Sequence, residues 1–131
     1  LKGVGKSFIS NILTNELNAI GSKIVILDCD FRQGDQHKNF KTNKIKLDEF
    51  VNAHNNIEKY KIKDGLYFIP RPHQSSAYAL GVFESQGFAE MMSDLKSRFD
   101  YVIIDTPPVL PVSDSLSISK LCKGYFQYKT V

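Results

Sequence analysis

At 131 residues the chain is the size of one domain and leaves no room for a second core. Its 42% hydrophobic and 24% charged residues lie near the globular average and argue against a disordered chain. Seventeen basic against fourteen acidic residues give a net charge of +3, and the lysines alternate with carboxylates instead of forming a stripe, which argues against nucleic acid as a partner.

The sequence opens at Leu1, without an initiator methionine, and runs at once into Gly3-Val4-Gly5-Lys6-Ser7. A mature domain rarely starts inside a functional loop, so the reading is one domain over 1–131, an incomplete fragment truncated at both ends. From Lys6 to Ile20 the apolar Phe8, Ile9, Ile12, Leu13, Leu17 and Ile20 recur at helical spacing, and Gly21 is a natural left-handed stop. Lys23 to Asp28 is β-branched and apolar on both faces, as a buried parallel strand requires. Cys29 to Lys46 is polar and turn-rich and predicts an exposed loop. Leu47 to Ala53 predicts a short helix, and Leu66 to Ile69 a short strand closed by Pro70 and Pro72. Glu84 to Phe99 reads as a helix with Phe88, Met91, Met92, Leu95 and Phe99 on one face. Tyr101 to Asp105 is a second strong strand, broken by Pro107-Pro108. Ser113 to Leu121 predicts a helix and Gly124 to Val131 a last strand. Strands alternating with helices imply an α/β fold with a mainly parallel sheet flanked by helices.

Three motifs carry chemistry. Glycines in Gly3-Val4-Gly5-Lys6-Ser7 let backbone N–H groups close around phosphate oxygens at a helix N-terminus. The lysine reaches the β- and γ-phosphates and the serine hydroxyl ligates magnesium. The full pattern wants one more glycine, just before Leu1, so the match is partial. The second motif, Val25-Ile26-Leu27-Asp28-Cys29-Asp30-Phe31-Arg32, ends an apolar strand in two acids. Alternate residues of an extended segment share a face, so Asp28 and Asp30 suit one cation. The third, Val102-Ile103-Ile104-Asp105-Thr106-Pro107-Pro108, delivers an acid of the kind that holds magnesium through water in phosphate-loop folds. Taken singly, each also has a plainer reading: a glycine turn, solvated acids, or a cap before a proline turn. In this order they point to nucleoside triphosphate chemistry, because open α/β sheets bind ligands at the carboxyl ends of their strands.

With these motifs the sequence resembles the bacterial protein-tyrosine kinases of capsule and exopolysaccharide biosynthesis, the BY-kinases, which are similar to the MinD/ParA branch of P-loop ATPases. Lys6-Ser7, Asp28-Cys29-Asp30-Phe31-Arg32, Asp105-Thr106-Pro107-Pro108 and Asp114 match that family in order, across roughly Gly3 to Lys120. The Asp-x-Asp-x-Arg element is the most specific part. The signature lysine of ParA-like ATPases is missing: its place is Leu1, and Lys2 is one position off. The resemblance implies a P-loop NTPase fold and an ATP- and Mg2+-dependent protein-tyrosine autokinase. It implies that Gly3, Val4, Gly5, Lys6, Ser7, Phe8 and Arg32 bind the nucleotide and that Lys6 neutralises charge on the transferring phosphoryl group. Ser7 and Asp28 would hold magnesium directly and Asp105 through water, with Asp30 as the base toward a tyrosine hydroxyl. Its partners would be further copies of itself, phosphorylated between protomers, and a membrane-embedded polysaccharide co-polymerase segment or subunit. The alternatives are a MinD/ParA-type ATPase switch and a non-catalytic fragment.

The remaining features have plainer readings. No leader opens the sequence, and the longest aliphatic runs fall far short of the ~20 residues that cross a bilayer. Cys29 and Cys122 make neither a framework nor a metal spacing, and a reducing cytoplasm is the simplest setting, at the inner face of the membrane if the resemblance holds. Lys38, Lys41, Lys44 and Lys46 read as a solvated loop, with a docking surface for acidic lipid or a partner chain as the alternative. His37, His54 and His73 read as surface residues, and Cys29 as a small buried residue. Met91 and Met92 read as core, and Tyr60, Tyr67, Tyr78 and Tyr101 as packing residues.

Overall fold

The computed structural model describes residues 14–30, 43–73 and 81–105. The expected elements at Ser113–Leu121 and Gly124–Val131 lie outside them, as do Phe31, Arg32, Asp114, His37, Tyr78, Lys38 and Lys41.

The first described helix, α1, covers residues 14–19 and ends as its sequence predicts. Gly21 has φ +87°, the Ser22 N–H donates to Leu17 O at 3.1 Å and the Gly21 N–H to Asn18 O at 3.0 Å. These two bonds form the Schellman stop that a left-handed glycine permits. Strand β1, Ile24–Asp28, is buried along its whole length. Helix α2, Leu47–Val51, leads into a 3-10 helix, Ala53–Tyr60, which is broken at Asn56. Strands β2, Lys61–Lys63, and β3, Leu66–Ile69, form a hairpin. Helix α3, Gln86–Arg98, precedes β4, Tyr101–Asp105.

The sheet order is β2-β3-β1-β4. Strand β1 pairs parallel with β3 on one side and β4 on the other, and β2 pairs antiparallel with β3. Parallel neighbours need crossovers, and the helices between β1 and β3 and between β3 and β4 supply them. The hairpin turns at Asp64-Gly65, where Gly65 has φ +78° and a Cβ would meet Asn18 Nδ2 at 2.9 Å. Only glycine fits both demands.

Each face of the sheet has its own core. Val25, Leu27 and Cys29 of the β1 segment join Tyr67 and Ile69 in packing under α2, the 3-10 helix and α3. There Phe50, Phe88, Met91 and Leu95 are fully buried, and Met92 all but so. On the opposite face Ile24, Ile26, Leu66 and Phe68 pack with Leu17 of α1. Helix α3 is capped by Ser85, whose Oγ accepts the Phe88 N–H at 3.2 Å.

Several expectations change. The 3-10 helix and β2 occupy a stretch for which the sequence predicts no element. Cys29 is the small buried residue expected, at 1% exposed, but it and Asp30, at 5%, do not begin an exposed loop, because the β1–β4 ladder continues past Asp28. His54 is not a surface residue. Its side chain is 12% exposed and Nδ1 lies 2.9 Å from Asp94 Oδ2, tying the 3-10 helix to α3. Arg98 Nη1 reinforces that tie by donating to Asp94 Oδ2 and to the His54 carbonyl oxygen. Tyr60 and Tyr67 are packing residues as expected, whereas Tyr101 is 45% exposed.

Candidate functional site

Strands β1 and β4 each run from aliphatic residues to an aspartate at the carboxyl end. Their register pairs Ile24 with Tyr101 and ends by pairing Asp28 with Asp105. Neighbouring strands lie about 4.8 Å apart, so the two acids emerge side by side.

The alternation of the pleat decides which face the acids take. On β1, Val25 and Leu27 belong to the core under α3, while Ile24 and Ile26 belong to the core under α1. Asp28 continues the second set. On β4, Val102 and Ile104 pack toward α3 and Ile103 toward α1, so Asp105 continues the Ile103 set. Both acids therefore take the face covered by α1, the helix that follows the Gly3–Ser7 loop in the sequence.

Asp28 is 0%, Asp105 3% and Asp30 5% exposed. The Cys29 N–H donates to Asp105 O at 2.8 Å, adding a rung beyond the last residue of β1. The Asp30 N–H donates to Asp28 Oδ1 at 3.2 Å, folding the chain around the first acid. Like charges in a buried place are costly unless a cation or cationic side chain offsets them.

These donors fit magnesium. Hard carboxylate oxygens from two adjacent strand ends are the partial ligand set that this ion takes, with water completing its octahedron. Among the described residues no group of three or more His, Cys, Asp or Glu could hold a metal, so these acids are not by themselves a closed cage.

Of the residues expected at the site, Asp28 and Asp105 are level on adjacent strands and Asp30 follows directly. Gly3, Val4, Gly5, Lys6, Ser7, Phe8 and Arg32 lie outside the described residues. Cys29, between the two acids, is buried and bonded through its N–H to Asp105 O, although a cysteine there carries no chemical signal. Its place between two acids after an aliphatic strand was the one clue available.

The comparisons with known proteins agree with this sheet. The model of the AAA domain family matches residues 2–121. The tyrosine-protein kinase ptk of Acinetobacter johnsonii is 36% identical over 121 residues, covering 89% of this chain. The chain spans only 16% of that kinase's own length. The kinase domain of the Escherichia coli tyrosine kinase ETK superposes with a TM-score of 0.73 at 26% identity, over 89% of this chain and 47% of that one. The Mg-ADP complex of the septum site-determining protein MinD from Pyrococcus horikoshii shares the fold, with a TM-score of 0.63 at 18% identity, over 91% of this chain and 50% of that one. Among the described residues no helix is long and apolar enough to cross a membrane. The chain belongs to the AAA domain family, and within it resembles the kinase domains of bacterial tyrosine-protein kinases.

Proposed function

We propose that the chain is the catalytic core of an ATP- and magnesium-dependent protein-tyrosine autokinase acting in capsule or exopolysaccharide synthesis and export. The observation that carries this reading is the pair of buried acids, Asp28 and Asp105, level at the carboxyl ends of adjacent parallel strands on the α1 face. The likeness to proteins named tyrosine-protein kinases supports the choice of acceptor.

Ser7 and Asp28 would ligate magnesium directly and Asp105 would hold it through water. When bound, the ion neutralises charge on the phosphate oxygens. Lys6 would offset charge on the transferring group, and the N–H groups from Gly3 to Phe8, with Arg32, would orient the nucleotide. Asp30, next to the ion-binding acid, would accept the proton of the incoming tyrosine hydroxyl. The tyrosine would come from a neighbouring copy. A polysaccharide co-polymerase segment or subunit would hold the domain at the inner face of the membrane.

Phosphotyrosine formation by the full-length protein with ATP, with and without magnesium, tests the reading. Magnesium-dependent signal that disappears in Lys6→Met is the expected result, since methionine cannot replace the charge. ATP hydrolysis without any phosphotyrosine would overturn the kinase and leave a MinD-like ATPase switch.

A further inference from the structure

The two acids of the second motif flank a residue that faces the other way. Cys29 is 1% exposed and shares its core cluster with Val25 and Leu27, on the side of the sheet opposite Asp28 and Asp105. Its backbone is held as tightly as its side chain, since the N–H donates to Asp105 O at 2.8 Å. The next residue then turns back, the Asp30 N–H reaching Asp28 Oδ1. Position 29 is thus bound from below by the core and from the side by β4, and both neighbouring acids move with it.

We propose that residue 29 is a positioning residue whose small apolar side chain sets the spacing of Asp28, Asp30 and Asp105. This rests on the kinase reading above, in which those acids serve magnesium and the acceptor. A close-packed core has no space for extra methylenes, so a larger side chain must lift the backbone at that point. Lifting it lengthens the Cys29–Asp105 bond, turns Asp28 away from the face it shares with Asp105 and moves Asp30 with it. The chemistry of the thiol has no part in this, so alanine serves as well.

The test measures the magnesium concentration needed for half-maximal ATP binding by the full chain, beside its melting temperature. Cys29→Leu is expected to raise that concentration about 10- to 100-fold, the usual effect of disturbing the support of a metal ligand. Cys29→Ala is expected to stay within about twofold. Leu95→Ala, a change in the same core but away from the acids, is expected to lower the melting temperature and leave the magnesium requirement unchanged. Should Cys29→Leu fail to fold, Cys29→Val is the smaller step, expected to give an intermediate shift. If the folded variant instead behaves like Leu95→Ala, residue 29 is merely core and the inference is overturned alone. Loss of magnesium dependence in Cys29→Ala would overturn it too, by making the thiol the acting group. An unmutated chain that binds ATP regardless of magnesium would overturn the functional reading and the inference together.

Discussion

The two ends of the β1–β4 pair use charge in opposite ways. At the amino end, Asp100 Oδ2 accepts the Lys23 N–H at 2.7 Å, and the Lys23 carbonyl accepts the Asp100 and Tyr101 N–H groups at 2.8 and 3.2 Å. The Lys23 ammonium lies over the Phe99 ring at 4.9 Å and the Tyr67 ring at 5.6 Å. Every charge there meets a complementary neighbour beside water. At the carboxyl end the same strands bring acid beside acid, buried. A charge at an open strand end is satisfied where it stands, whereas acids buried side by side depend on what lies opposite them and are kept where a function needs them.

Substitutions can separate the two ends, and the largest effect comes from the strand between them. Leu27→Ala removes a fully buried side chain from the middle of β1 and should cost about 2–5 kcal/mol. Denaturant unfolding should show the loss, with magnesium-dependent binding falling only as the folded fraction falls. Asp105→Asn should do the reverse. Magnesium with nucleotide should raise the melting temperature of the unmutated chain by more than that of the variant, because a neutral amide is a poorer partner for a hydrated hard cation. Thermal melts with and without the ligands would show the difference. Asp100→Ala should cost about 1 kcal/mol through its lost acceptor and leave the magnesium requirement alone.

The smallest effect lies away from both ends, at the His54–Asp94–Arg98 tie. The His54 hydrogen bond, helped by Arg98, holds the Asp94 carboxyl below the usual carboxylate range. A carboxyl depressed in the folded state binds protons more readily when unfolded. Its contribution is therefore present above the unfolded value and is lost as pH falls below about 4 through the folded one. Asp94 is partly exposed, so screening limits the effect to a few tenths of a kcal/mol. Melting curves from pH 6 to pH 3 should drop slightly less for Asp94→Asn than for the unmutated chain.

Much of this fold is legible where one local rule acts alone. Strand β1 is an aliphatic run buried along its whole length, β4 is an aliphatic run that is half-buried until Asp105, and the buried stripe of α3 follows from residues spaced three and four apart. The shared face of Asp28 and Asp105 needs more than alternation, since it depends on a β1–β4 register that only the folded chain displays. The stretch from Ala53 to Lys63 is unreadable for a different reason. Its 3-10 helix contains a non-helical Asn56, and β2 is three residues of Lys-Ile-Lys at a sheet edge. The one available signal was Asp64-Gly65 between Lys-Ile-Lys and Leu-Tyr-Phe, a hairpin dipeptide with strand formers on each side. His54 misleads because its partner, forty positions away, is supplied by tertiary packing.

In the proposed site the carboxyl end of these strands divides labour, Asp28 serving the ion and Asp30 the acceptor. Nucleotide affinity and phosphotyrosine formation, measured together for Asp28→Asn and Asp30→Asn in the full-length protein, test it most directly. A neutral amide is a poorer ligand for a hard cation, so Asp28→Asn should lose magnesium-dependent nucleotide binding. Asp30→Asn should bind nearly as the unmutated protein does while forming phosphotyrosine about 10²- to 10⁴-fold more slowly, the usual range for lost general-base help. Equal losses of binding in the two variants would contradict the account.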